Sequence, residues 1–298
     1  MIASEIEDFI AAVRLEKGES ANTCAAYAGD LAAFAAFLAQ RGLSAASDVS
    51  RDDIVDFLAD ERAKGMKGST RRRRTAAIRM FFRYLKERRL VAHDPSALMD
   101  SPKKELLLPR TLSEEEVFRL LDAIDGEDPR SIRDRALLET LYGCGLRVSE
   151  ACALSLGDFV AEGDLLRIFG KGSKERIVPV GGAAGRALVR YRDGARESFV
   201  RGNLSETHVF LTRLGRPFTR QGVFKIIKER AAAVGIAAGR ISPHVLRHCF
   251  ASHMLAHGAD IRAIQELLGH ADIGTTQIYT HVDTARFGEI HRRYHPRA

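Results

Sequence analysis

The sequence predicts a mainly α-helical protein with one small β-sheet, divided into a helical N-terminal domain and a mixed α/β C-terminal domain. Three observations carry this reading. Apolar residues recur at three-and-four spacing along most of the 298 residues. Alternation suited to strands is confined to one hairpin. A charged, proline-bearing stretch without periodicity, DSPKKELLLPR at 100–110, parts two segments that are each apolar enough to bury a core. The expected organisation is a first domain over 1–100, a linker over 101–110 and a second domain over 111–298.

Taken in order, the first helix is expected from Ser4, read as its N-cap, to Leu15, with Ile6, Phe9, Ile10 and Val13 on one face. Ser20 precedes an Ala-rich helix that turns Tyr27, Leu31, Phe34 and Leu38 inward and stops at Gly42. Ser50 caps a third, with Ile54, Phe57 and Leu58 inward and Gly65 after it. The fourth, after Ser69, separates an apolar stripe (Ile78, Phe81, Phe82, Leu85) from a cationic flank (Arg72, Arg79, Arg83, Lys86). Beyond the linker, Thr111-Leu112-Ser113 followed by three glutamates is a helix start with acid in its first turn. A helix over about 133–142 leads into Gly143-Cys144-Gly145, and another begins at Ser149. Leu165–Phe169 and Arg176–Val180 flank a glycine-rich tip as a hairpin. Helices then continue to the end, one of them opened by Ser242-Pro243, a cap plus a proline in the first helical position.

Composition excludes several classes. With 45% hydrophobic and 29% charged residues, the chain is neither disordered nor a disulfide-stapled miniprotein. No apolar run reaches membrane-spanning length, and Glu5, Glu7 and Asp8 occupy the place of a basic signal-peptide head, so a soluble cytoplasmic protein is expected. Cys24, Cys144, Cys152 and Cys249 are scattered without a C-x-x-C pair, which suits a reducing compartment and gives no cysteine zinc site.

The formal charge of +7 is unevenly placed. Residues 1–61 hold 4 basic and 12 acidic side chains, whereas 62–104 hold 14 basic and 3 acidic. Such a band suits a polyanion, because each phosphate neutralised releases counterions; the alternative is a solvated helix face. The run Arg71-Arg72-Arg73-Arg74 opens a helix, where cations are disfavoured, and a phosphate backbone would relieve its repulsion.

In the second domain several polar residues lack a packing rationale. Arg147 follows the Gly-x-Gly break; Lys171 sits between glycines at the hairpin tip; His244, Arg247 and His248 share one face of a helix start, where anions collect. Taken singly, Arg147 could be a carbonyl cap, Lys171 a solubilising tip and Tyr279 a surface or core aromatic. A zinc site on His244 and His248 lacks the H-E-x-x-H glutamate, since position 245 is Val, and Arg247 would repel the cation. Together, two arginines, a lysine, histidines and Tyr279 suffice for attack on a phosphodiester without a metal. The arginines would grip non-bridging oxygens, the lysine would protonate a leaving hydroxyl, and the phenol would be the nucleophile.

Four segments carry a resemblance: LYGCGLRVSEACAL (141–154), IFGKGSKERIVPV (168–180), SPHVLRHCFASHML (242–255) and LLGHADIGTTQIYTHV (267–282). In the order Arg, Lys, His-x-x-Arg, His, Tyr, they resemble the tyrosine recombinase (phage integrase) family, and most of all its Xer branch. The resemblance implies a two-domain DNA clamp whose second domain is catalytic. Tyr279 would form a 3′-phosphotyrosyl bond, Arg147 and Arg247 would hold the scissile phosphate, Lys171 would be the general acid, and His244 and His270 would complete the pocket. Glu150 would orient an arginine from the second layer, with His248 and His281 structural. Arg71, Arg72, Arg73, Arg74, Arg79 and Arg83 would touch DNA, and the Arg286–Tyr294 helix would dock on a neighbouring protomer. No metal, cofactor, ATP or membrane is implied. The partners would be a specific duplex recombination site, a second recombinase in a heterotetramer, and a septal DNA translocase as activator. The competing readings are a type IB topoisomerase-like relaxase and a DNA-binding protein without catalysis.

Overall fold

The computed structural model describes residues 1–15, 21–97, 99, 111–160, 164–170, 175–203, 205–269 and 281–298. The chain divides into two compact units, Met1–Leu106 and Leu107–Ala298, and the division falls inside the stretch read as a linker. The protein is mostly helical, and no helix among the described residues is long and apolar enough to cross a membrane.

The first unit holds α1 (Ile2–Leu15), α2 (Ala21–Gln40), α3 (Arg51–Ala63) and α4 (Gly68–Glu87). Its centre is aromatic. Phe9 meets Phe81 edge-on at 5.7 Å between ring centroids, and Phe34 lies 5.1 Å from Phe57, geometries that add to the gain from burial itself. Ile54, Ile78, Phe82 and Leu85 are completely buried among them, as the apolar spacing predicts. Ser50 caps α3 in a reciprocal box with Asp53. Two expected starts are corrected. Helix α1 begins at Ile2, whose buried side chain and N–H bond to the Ser44 carbonyl (3.1 Å) fix the chain before Ser4. Helix α4 begins at Gly68 with Lys67 at the N-cap, so Ser69 lies within its first turn.

The second unit is built around α6 (Pro129–Gly143), whose Leu137, Leu138, Leu141 and Tyr142 are fully buried. Around it lie α5 (Glu114–Asp122), α7 (Val148–Ala153), α8 (Gly182–Arg190), α9 (Glu197–Val200), α10 (Arg220–Ala233), α11 (Pro243–Ala256), α12 (Ile261–Leu268) and α13 (His281–Tyr294). The sheet is antiparallel in the order β1 (Phe159–Val160), β2 (Leu165–Phe169), β3 (Glu175–Pro179), with Leu165 opposite Pro179 and Phe169 opposite Glu175. Leu166, Ile168, Arg176, Val178 and Pro179 are its buried positions.

The helix expected to dock on a neighbouring protomer packs, in this single chain, within its own unit. Phe287 and His291 of α13 are buried in their own unit, and His291 Nε2 donates to the Gly143 carbonyl (2.7 Å). The tail beyond is tied down as well. Arg297 reaches Glu139 (2.6 Å) and Asp122 (2.8 Å), and its carbonyl accepts from the Ala183 N–H. The apolar and imidazole face of this helix is thus buried in cis.

Candidate active site

The site is assembled from three helical segments, each with a local reason for its shape, and from Arg176 of β3. Helix α6 ends at Gly143, and Gly145 takes φ +58°. A Cβ there would also stand 2.7 Å from the Phe250 ring, so both conformation and space require glycine. The turn delivers Arg147 to the N-cap of α7 and Glu150 to its first turn. The Glu150 carboxylate accepts from the Arg147 N–H (2.7 Å) and Nη1 (2.8 Å), satisfying a helix-start donor with an acid.

Helix α11 starts at a Ser242 cap, whose hydroxyl accepts from the Val245 N–H, with Pro243 in the first helical position. His244 and His248 are exposed on its outer side. Arg247, one turn beyond His244, points inward and is only 7% exposed. Its Nη1 donates to the Gly145 carbonyl at 2.6 Å.

The third segment is the carboxyl end of α12, where three consecutive carbonyls receive three different arginines. Arg176 Nε donates to Leu267 (2.9 Å), Arg247 Nη2 to Leu268, and Arg147 Nη2 to Gly269 (3.3 Å). A helix end offers unpaired carbonyls and a negative dipole end, and here cations supply the partners. Arg176 also forks onto Glu150, Nη1 to Oε1 at 2.7 Å and Nη2 to Oε2 at 2.8 Å.

Sequence reasoning did not single out Arg176, which lies in β3. A signal was present, since Arg176 shares its strand face with Val178, and an arginine on a buried face needs an anionic partner.

Three guanidiniums thus surround one carboxylate in a largely closed space. Burial, reinforced by Arg147 and Arg176, pushes Arg247 down to about 9 against the opposing pull of Glu150. A guanidinium keeps its proton in proteins, so the depression marks the cost of holding this charge buried beside two other guanidiniums with one carboxylate among them. Burial acts to raise the Glu150 carboxyl, but the bonds from Arg176 and Arg147 outweigh it and hold it below the usual range. The arrangement is built to accept one more anion, and the partly exposed Arg147 forms its open side.

The structure therefore brings Arg147, Glu150 and Arg247 together, with Arg176 added, and places His244 on the exposed first turn of α11. Lys171, His270 and Tyr279 lie outside the described residues. In the chain, Lys171 falls between β2 and β3, His270 directly follows Gly269, and Tyr279 stands two residues before α13. Among the described residues no group of three or more His, Cys, Asp or Glu side chains converges as a metal site would require.

In the first unit, Arg79, Arg83 and Lys86 of α4 line a groove of about 460 Å³ together with Glu87, Asp94 and Ala97. The arginine run at the start of α4 divides. Arg73 Nη2 donates to buried Asp30 (2.9 Å), and Arg74 reaches both Asp30 (3.3 Å) and buried Glu61. The repulsion that a phosphate backbone was expected to relieve is in part relieved from within. Arg74 is thus engaged by two carboxylates of its own unit, while Arg72, Arg79 and Arg83 lie on the flank.

Comparison with known proteins gives a consistent result. Residues 110–286 match the phage integrase family and residues 6–89 its N-terminal SAM-like domain. The chain is 44% identical over 292 residues to a tyrosine recombinase XerD of Proteus mirabilis, covering 98% of this chain and 93% of that protein. It is 43% identical over 299 residues to a tyrosine recombinase XerD of Oceanobacillus iheyensis, with both chains covered completely. Among solved structures it superposes on a XerH site-specific recombinase in a pre-cleavage complex with its difH substrate (TM-score 0.70, 23% identity, 96% of this chain and 83% of that one). It also superposes on a λ integrase dimer bound to a core site (TM-score 0.68, 17% identity, 93% and 96%). At these identities the structural matches speak for the fold.

Proposed function

The chain belongs to the phage integrase family as a XerD-type tyrosine recombinase, and from that premise we propose how its residues divide the work and which DNA it serves. As a site-specific recombinase it cuts and rejoins DNA strands without metal or ATP. The observation that carries the assignment of roles is the convergence of Arg147 and Arg247 on one carboxylate and on two adjacent carbonyl oxygens. Donors that grip neighbouring oxygens in this way are suited to the non-bridging oxygens of a scissile phosphate, where they would stabilise the charge of a pentacoordinate transition state.

In this reading the Tyr279 hydroxyl loses its proton and attacks phosphorus. The new tyrosyl-oxygen bond forms as the bond to the 5′-oxygen breaks, and Lys171 protonates that leaving oxygen. The strand is left as a 3′-phosphotyrosyl ester, so its bond energy is kept. A free 5′-hydroxyl from the partner duplex reverses the step and reseals the backbone. His244 and His270 donate to the same phosphate. Arg72, Arg79 and Arg83, with Arg71 and Arg73 beside them, contact DNA from α4.

The biological assignment is resolution of chromosome dimers at cell division in the cytoplasm. A tetramer formed with a XerC-like second recombinase would act on a specific duplex site, with a septal DNA translocase as activator. The relatedness to XerD proteins supports this assignment. It also argues against the relaxase reading, which needs no partner site.

The test is a suicide substrate nicked beside the recombination site. Wild type should trap as a covalent adduct on a denaturing gel in the presence of chelator, whereas Tyr279→Phe should bind the same DNA and trap none. Absence of adduct from wild type that binds normally would return the chain to the non-catalytic reading.

A further inference from the structure

Arg176 is absent from the set of residues expected to hold the phosphate, yet its guanidinium makes three hydrogen bonds within the site, against two each for Arg147 and Arg247. Its side chain is 4% exposed, too closed to meet DNA. Its fork covers both oxygens of Glu150, and its Nε holds the Leu267 carbonyl. Gly269 makes room for its stem, since a Cβ there would come within 2.9 Å of Arg176 Cδ and the residue takes φ +64°. Arg147 and Arg247 each have a carbonyl of the same helix end as partner, at Gly269 and Leu268. A carbonyl oxygen is a weaker acceptor than a phosphate oxygen, so these two arginines stand to gain by exchanging it for the anionic oxygen. Arg176 cannot make that exchange from its buried position.

We propose that Arg176 is a positioning residue for strand cleavage. It is the fixed member of a three-arginine clamp, and it holds Glu150 and the carboxyl end of α12 in place while Arg147 and Arg247 change partners from carbonyl to phosphate. The inference rests on the recombinase reading above and deepens it. Without Arg176, Glu150 would be a buried carboxylate held only by Arg147, with Arg247 Nη1 next nearest at 3.8 Å. Glu150 would then compete with the phosphate for both gripping arginines. The end of α12, from which the chain runs directly to His270, would lose its one fixed tie. Lysine cannot substitute, because a single ammonium does not span two carboxylate oxygens and a carbonyl in this planar pattern.

The experiment is a double-mutant cycle in the full chain, with Arg176→Lys, Arg176→Gln, Glu150→Gln and Glu150→Gln combined with each. Three quantities are measured: single-turnover adduct formation on the suicide substrate at saturating protein, affinity by gel shift, and Tm. We expect Arg176→Lys to bind DNA within about threefold of wild type and to melt within a few degrees of it, while adduct formation slows at least tenfold. In the Glu150→Gln background the same substitutions should slow it less than threefold further, because the group through which Arg176 acts is gone. Glu150→Gln combined with Arg176→Gln removes both charges of the buried fork at once, leaves Arg247 on its two carbonyl partners, and keeps the cycle readable if Arg176→Gln alone does not fold.

Wild-type cleavage by folded Arg176→Lys would overturn the proposal. So would losses that multiply independently of Glu150, or a collapse of Tm in every Arg176 variant that accounts for all lost activity. Failure of wild type itself to form adduct would instead overturn the recombinase reading.

Discussion

Tyr142, His253, His291 and His295 form a buried cluster joined by hydrogen bonds and ring contacts. His253 Nε2 donates to the Leu112 carbonyl (3.0 Å), and its Nδ1 is hydrogen-bonded with the Tyr142 hydroxyl (2.9 Å). His291 stacks on His295 at 4.6 Å between centroids, and His295 Nδ1 accepts from the Arg297 N–H (3.2 Å). Burial lowers His291 from its usual 6.5, and burial together with His291 and His253 lowers His295 well below it. Both are therefore neutral when folded, while the unfolded chain takes up their protons as pH falls through about 6.5. Stability is complete above that value and is lost below it, by up to about 1.4 kcal/mol per pH unit for each histidine. Thermal melts should give a flat Tm down to about pH 6.5 and a falling one beneath, with a shallower fall in His295→Phe, which keeps a ring but cannot titrate; an unchanged slope would remove His295 from the account. At this scale Arg147 and Arg247 were legible because they interrupt apolar segments at positions that packing does not explain. Arg176 was not, because a charged residue in a short hairpin strand reads as solvent-facing until the opposite face of that strand is known to be the exposed one.

Helix α4 separates what periodicity reveals from what it conceals. Its buried stripe of Ile78, Phe81, Phe82 and Leu85 follows from spacing alone. The fate of its arginines does not, because the partners that sort them lie 13 and 44 residues away, at Glu61 in α3 and Asp30 in α2. The same limit explains β1, whose two residues are too few for alternation to register, and the starts of α1 and α4, which tertiary contacts shift by one or two residues. Two substitutions should therefore behave in opposite ways. Arg74→Met leaves a buried carboxylate half-paired and should cost about 3–5 kcal/mol by chemical denaturation while leaving the salt dependence of DNA binding unchanged. Arg72→Ala with Arg79→Ala should leave stability within about 1 kcal/mol and flatten the slope of log affinity against log salt by roughly one unit per lost phosphate contact. If Arg74→Met alters the slope as much as the flank pair does, then Arg74 meets DNA despite its internal partners.

The whole molecule has two separate hydrophobic cores. One is centred on Phe34, Phe81 and Phe82 within the first unit, and the other on Leu138, Tyr142, Phe210 and Phe250 within the second. Each unit has the means to fold alone, since a domain's stability comes from the apolar surface it buries within itself. Arg147, Glu150, Arg176, Arg247 and the α12 helix end all belong to the second unit, whereas the cationic flank of α4 belongs to the first. The proposed division of labour follows this division of charge, with sequence-independent grip assigned to α4 and the chemistry to the second unit. The fragment 107–298 should accordingly melt cooperatively by circular dichroism. At low salt and raised concentration it should still trap the suicide substrate, with a salt slope smaller than that of the full chain by the α4 contacts it lacks. A fragment that folds but traps nothing at saturation would mean that α4 does more than supply affinity, and that its arginines help to place the scissile phosphate against Arg147 and Arg247.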